Sequence, residues 1–125
     1  MISHFRVSPD QRTVSWKNAG REVALHFQYE VHAHHVHYLD EVLVQSDIRE
    51  SGSNNLCLYQ ADGSGKACPA MPRLKQEVAG VYAVWFVQGK RYQTVVLHSS
   101  EFSPYDTACT FDLETHQFSA FHPTK

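Results

Sequence analysis

No apolar run in this chain approaches the roughly 18 residues that a membrane-spanning helix needs, and the opening MISHFRVSPDQR has no uninterrupted apolar segment of the secretory-signal kind. The expectation is a cytoplasmic protein with no membrane span. Charge of one sign is also missing, since 11 Lys and Arg stand against 13 Asp and Glu for a net charge of −2, with no basic stripe. Nucleic-acid binding, whose affinity comes from concentrated phosphate-neutralising charge, is therefore not expected. There is no G-x-S-x-G, no P-loop glycine pattern and no G-x-G-x-x-G, so nucleophile-elbow and nucleotide-cradling chemistries have no footing. Repeats and low-complexity segments are absent too, which excludes a solenoid or propeller. Cysteine is scarce: Cys57, Cys68 and Cys109 are odd in number and show no C-x-x-C spacing. That pattern predicts reduced thiols rather than a disulfide framework, with Cys57 and Cys109 buried in strand-like runs and Cys68, in a loop before Pro69, open to reagents.

What is present is an ordinary folding composition, 42% hydrophobic and 12% aromatic over 125 residues, which suits one domain spanning residues 1–125 around one core. The stretch from Glu22 carries the strongest pattern. Val23, Leu25, Phe27, Tyr29, Val31 and Ala33 are apolar, while His26, Gln28, Glu30, His32 and His34 are polar. This period of two predicts one long strand with a buried face. At His34-His35 the phase slips, which predicts a bulge, bend or reversal there. Beyond it Val42, Leu43 and Val44 form a continuous apolar run, as expected of a strand covered on both sides.

His4–Val7 reads as a short edge strand, Thr13–Trp16 as a second, with a turn at Lys17-Asn18-Ala19-Gly20. Asp47–Asn54 reads as a loop, and Asn55–Gln60 returns to strand before the turn Asp62-Gly63-Ser64-Gly65. Pro72, the spacing of Leu74 and Val78, and Gly80 predict one short helix over residues 73–79. Val81–Gln88 and Arg91–His98 predict a hairpin about Gly89-Lys90, with Val87 opposite Tyr92, Trp85 opposite Thr94, Val84 opposite Val95 and Tyr82 opposite Leu97. Both its faces are apolar, which places it at the centre of a sheet with most of its aromatics in the core. Thr107–Asp112 and Gln117–Phe121 predict a last hairpin, with Phe111 facing Phe118. The sum is an all-β fold, an antiparallel sandwich or partly closed barrel of about 8–9 strands.

Histidines cluster at His32, His34, His35 and His37. Residues two apart on a strand share a face, so either pair offers two imidazoles to one ion. The spacing H-x-H-x3-E in His35, His37 and Glu41 resembles part of the first cupin motif, although Tyr29 and Ile48 stand where that motif has glycines. The resemblance implies a divalent transition metal held by His35, His37 and Glu41, with His98 on a strand end as a fourth ligand, and a small-molecule enzyme built on that site. The plainer expectation is a solvated strand face that binds no cofactor.

Residues 54–125, from NNLCLYQADGSGK to YDTACTFDLETHQFSAFHPTK, resemble small bacterial β proteins with an Asn-led strand, an aspartate-glycine turn and a D-x-E-T-G closing hairpin. His116 stands at the turn glycine. Such proteins are often immunity partners of secreted toxins, and the resemblance implies a non-catalytic binding protein whose partner is another protein. Tyr105, in a Ser-Pro-Tyr-Asp loop without a strand role, is a candidate contact residue, as are His32 and His34.

Overall fold

The computed structural model of the chain covers residues 1–125. It opens with a meander of β1 (Ile2–Val7), β2 (Thr13–Asn18) and β3 (Arg21–His26), joined at Ala19-Gly20, where both residues take the positive φ of a primed hairpin turn. A second sheet holds β4 (His32–Val36), β5 (Glu41–Gln45), β6 (Leu56–Tyr59) and β7 (Gly65–Ala67) in that order. The third, in the order β11-β10-β9-β8, is built from β8 (Val78–Trp85), β9 (Tyr92–Ser99), β10 (Thr107–Asp112) and β11 (Phe118–Pro123). All pairings are antiparallel and no sheet closes into a barrel. The all-β expectation holds, as a layered sandwich of eleven strands rather than eight or nine.

The second sheet is the middle layer, as the apolar run of β5 requires. Val42 and Val44 pack with Ile2, Val14, Trp16 and Val31 on the side of the first sheet. Leu43, Leu56 and Leu58 pack with Val81, Val95, Leu97 and Phe111 on the side of the third. Burying each such aliphatic side chain contributes roughly 1.5–3 kcal/mol, so β5, buried from Glu41 to Val44, anchors both cores.

The long strand expected from Glu22 is two strands. β3 stops at His26, and the extended connection bonds elsewhere: Phe27 N–H to Arg12 O, Val31 N–H to Gln11 O, and the amides of Gln28 and Tyr29 to the Glu50 carboxylate. Period two persists across it because Phe27 and Val31 still enter the same core, so alternation reported the wall faced, not the pairing. No bulge lies at His34-His35 either. β4 runs in unbroken register with β5, and its phase slip arises because Ala33 packs toward the first sheet while Val36 packs toward the third.

Residues 73–79 are not helical. Met71 and Leu74 pack against the larger core from an irregular segment leading into β8, so their apolar spacing marked a covering loop. The one helical turn, α1 (Ile48–Ser51), forms instead in the predicted loop, with the Asp47 side chain accepting the Arg49 amide as its N-cap.

The β8–β9 hairpin is present with Trp85 opposite Thr94 and Val84 opposite Val95, as expected. A register shift between Val81 and Ala83 then puts Val81, not Tyr82, opposite Leu97. β9 is interior but β8 is an edge. The tight turn at Gly89-Lys90 is replaced by a wider loop held from inside by Gln93, whose amide donates to Val87 O and Lys90 O and accepts the Val87 amide. Phe111 faces Phe118 with ring centres 4.9 Å apart, as expected, and His116 sits at φ 63, the left-handed turn position that glycine fills without strain.

The free edge of β8 is covered by side chains rather than a strand. Asn55, 1% exposed, accepts the Val81 amide at 2.7 Å and donates to Val81 O at 2.9 Å, doing with one carboxamide what a neighbouring strand would do. Gly80 makes room: a Cβ there would lie 2.7 Å from Ile48 Cγ2 and 3.0 Å from Asn55 Oδ1. Asn55→Ala leaves the buried Val81 amide without its acceptor and the Val81 carbonyl with only the 3.4 Å bond from Gln45, and is expected to destabilise the fold by about 2–4 kcal/mol, measured by urea unfolding.

Cys57 and Cys68 are not free thiols but a disulfide, with Cα atoms 4.2 Å apart. The turn after β6 is present as expected, but it reverses the chain into β7, a strand the sequence did not show, and the register Leu58↔Ala67 puts Cys57 opposite Cys68. Sequence spacing missed it because three residues of strand carry no pattern of their own. Cys109 is buried as expected, its thiol pushed up to about 12 by burial. Closing an eleven-residue separation constrains the unfolded chain, so reduction, or Cys57→Ser with Cys68→Ser, is expected to lower stability by about 3 kcal/mol. Alkylation of the native, unreduced protein should label no cysteine; a label on Cys68 would contradict the bond.

Candidate functional site

Cross-strand pairing fixes what the third sheet shows to solvent. Val84, Val95, Cys109 and Phe111 point into the core, so Trp85, Thr94, Thr110 and Ser119, which face one another across the four strands, point out. Tyr92, two residues before Thr94 on β9, joins the same face. The β8 register shift adds Tyr82, which sits in the irregular step and turns outward against the His98 ring at 4.6 Å. Tyr82, Trp85 and Tyr92 are 54%, 57% and 58% exposed, and Val87 beyond them is 50% exposed. These rings bury little within the chain and leave large apolar side chains in solvent on one face of the sheet.

The edge of this aromatic face is charged. Arg91 lies 5.2 Å over the Tyr92 ring and holds the Asp112 carboxylate through paired bonds of 2.9 and 3.0 Å. Those bonds, with the Glu114 amide, hold the Asp112 carboxyl well below the usual carboxylate range. Tyr38 donates to Glu114, and burial together with that carboxylate pushes its phenol up to about 12.

The histidines divide by face. His32 and His34 lie toward the third sheet, where His34 stacks on Phe86 with ring centres 4.6 Å apart and planes 10° from parallel. Together with Gln45, Tyr82 and Ala83 they line a groove of about 230 Å³. His35 and His37 lie toward the first sheet, their rings 4.3 Å apart, His35 against Phe5 and 3.4 Å from Asp40. The expected metal set does not assemble. Glu41 sits on the opposite face of β5, paired with Lys66, and His98 stands on β9 beside Tyr82. No group of three or more His, Cys, Asp or Glu side chains is gathered within reach of one ion.

Of the expected contact residues, His32 and His34 border the aromatic face through Tyr82, while Tyr105 lines a separate hollow reached past His98. Tyr82, Trp85 and Tyr92 were missed as surface residues. An apolar pattern on both faces of a hairpin predicts cover on both, and the register shift at Tyr82 has no local sequence mark. The useful signal was supply: once the middle sheet is covered on both sides, no strand of this chain is left to cover the outer face of the third sheet. The chain matches no protein-family model, no curated protein and no solved structure.

Burial lowers the pKa of His34, with His32 adding to the effect, and burial likewise lowers that of His35 against the opposing bond to Asp40. A histidine depressed in the fold binds its proton more weakly there than in the unfolded chain. Its contribution is intact above the unfolded value near 6.5 and is lost as pH falls through the folded value. The melting temperature is therefore expected to fall on acidification from about pH 7 to pH 5, and to fall less in His34→Asn. An unchanged slope in that variant would show that the stack on Phe86 is not the pH-sensitive contact.

Proposed function

We propose that this chain is a non-catalytic binding protein that takes a protein partner on the outer face of its third sheet, as an immunity protein takes a toxin. The observation that carries the reading is the open face bearing Tyr82, Trp85 and Tyr92, each more than half exposed. Tyr and Trp supply large contact area at low entropic cost and dominate the energetics of protein interfaces. Arg91, Asp112 and Glu114 give the face a polar rim. The whole face lies within residues 54–125, the segment resembling immunity-type proteins.

No helix is long and apolar enough to cross a membrane. The Cys57–Cys68 bond favours an oxidising compartment over the cytoplasm expected from the sequence. The metal-dependent alternative draws no support from side chains that face three different ways.

The test is binding to the product of the adjacent gene, co-expressed and then titrated by calorimetry. Trp85→Ala and Tyr92→Ala are each expected to weaken binding by about 2 kcal/mol or more, while their unfolding free energies stay within about 0.5 kcal/mol of the parent. Failure of the neighbour to bind, or undiminished binding by both variants, overturns the assignment.

A further inference from the structure

The largest hollow in the molecule is not part of the aromatic face. It is an open surface hollow of about 560 Å³ between the start of β8, the end of β9 and the loop after it, lined by Gln76, Glu77, His98, Ser103, Tyr105 and Asp106 among others. That volume falls within the range of small-molecule sites, roughly 300–1,000 Å³.

Its lining is polar and unused. Apart from the Ser99 hydroxyl, which takes the Glu101 amide, no lining side chain spends a donor or acceptor on the fold's own hydrogen bonds. Gln76 and Asp106 are held by their backbones instead, through the Gln76 amide to Glu101 and Asp106 O from the Thr124 amide. Amide, imidazole, hydroxyl, phenol and carboxylate groups thus border one space, exposed to solvent and with bonding capacity that the fold does not use.

The chemistry narrows the ligand. With only two hydrophobic residues among ten, the hollow offers nothing to an apolar molecule. Its lining holds two carboxylates, Glu77 and Asp106, against one ammonium at the rim, that of Lys125 beside Tyr105, so phosphates and carboxylates are disfavoured. Carboxylates and side-chain amides that accept and donate in several directions suit a ligand rich in hydroxyls. Tyr105 supplies the one flat wall: its ring is 42% exposed and has Lys125 Nζ 6.0 Å from its centre. A ring that presents C–H groups on its face and hydroxyls around its edge meets both requirements.

We infer that the hollow bounded by Glu77, His98, Tyr105 and Asp106 is a binding site for a neutral saccharide, which stacks on Tyr105 while its hydroxyls donate to Glu77 and Asp106. This site is separate from the proposed protein-binding face. The two are linked only through Tyr82 and His98, whose rings touch.

The test is an amide-resonance titration of the isotopically labelled full chain with cellotriose, chitotriose, maltotriose and mannotriose, each to about 10 mM, with spermidine and sulfate as cationic and anionic probes. At least one trisaccharide is expected to shift resonances confined to residues 76–79 and 98–106. Tyr105→Ala and Glu77→Gln should each weaken that binding about tenfold, with the spectrum elsewhere unchanged. Tyr105→Phe, which keeps the flat ring, should bind nearly as the parent does. Shifts with spermidine or sulfate alone, no shift with any trisaccharide, or equal shifts in Tyr105→Ala would overturn the assignment.

Discussion

Coverage of β5 on both faces is the constraint on which the rest of the molecule depends. A strand reading Glu-Val-Leu-Val-Gln has apolar side chains pointing both ways, and each direction needs its own wall. The first sheet supplies one through Val14 and Trp16, joined by Val31 from the connection after β3, and the third supplies the other through Val81, Val95 and Leu97. Trp16 fixes the first wall further by donating its indole N–H to Ala61 O at 2.7 Å. Three layers follow, and three layers leave two outer faces.

How the third layer meets the second decides which of those faces is sticky. The β8 edge cannot be left bare beside a core, and Asn55 satisfies it with one buried carboxamide where Gly80 allows close approach. Gln45 adds a bond to Tyr82 O, and Gln88 bridges His35 O and the His37 amide at the other end. These amide side chains fix β8 against β4 and β5 while keeping it an edge. The register shift they accompany turns Tyr82 outward beside Trp85. Local satisfaction of backbone groups and exposure of the aromatic face are therefore one structural event.

Much of the fold was legible because alternation and turn chemistry are local. The β1–β2–β3 meander, the β10–β11 hairpin with Phe111 against Phe118, the doubly covered β5 and the buried Cys109 all follow from nearest neighbours in sequence. The errors share a cause as well. Phe27 and Val31 kept period two without pairing, Met71 and Leu74 kept helical spacing without a helix, and Cys57 met Cys68 across a strand too short to recognise. In each case side-chain burial and backbone hydrogen bonding, which sequence patterns treat as one thing, were met by different partners.

The histidines show the same division for the site. The unbroken register of β4 with β5 keeps the two histidine pairs on opposite faces, but sequence alone determined that His32 shares a face with His34 and His35 with His37, because the pleat imposes it. It also determined an all-β chain with no excess of charge and no stretch that could cross a membrane as a helix. Only the tertiary structure decided that Glu41 turns to Lys66 and His98 to Tyr82, that Tyr82, Trp85 and Tyr92 stay in solvent, and that Glu77, Tyr105 and Asp106 line one hollow. A residue's own face is set by its two neighbours in the chain. What stands opposite that face is set by strands tens of residues away, whose order and register no local pattern records.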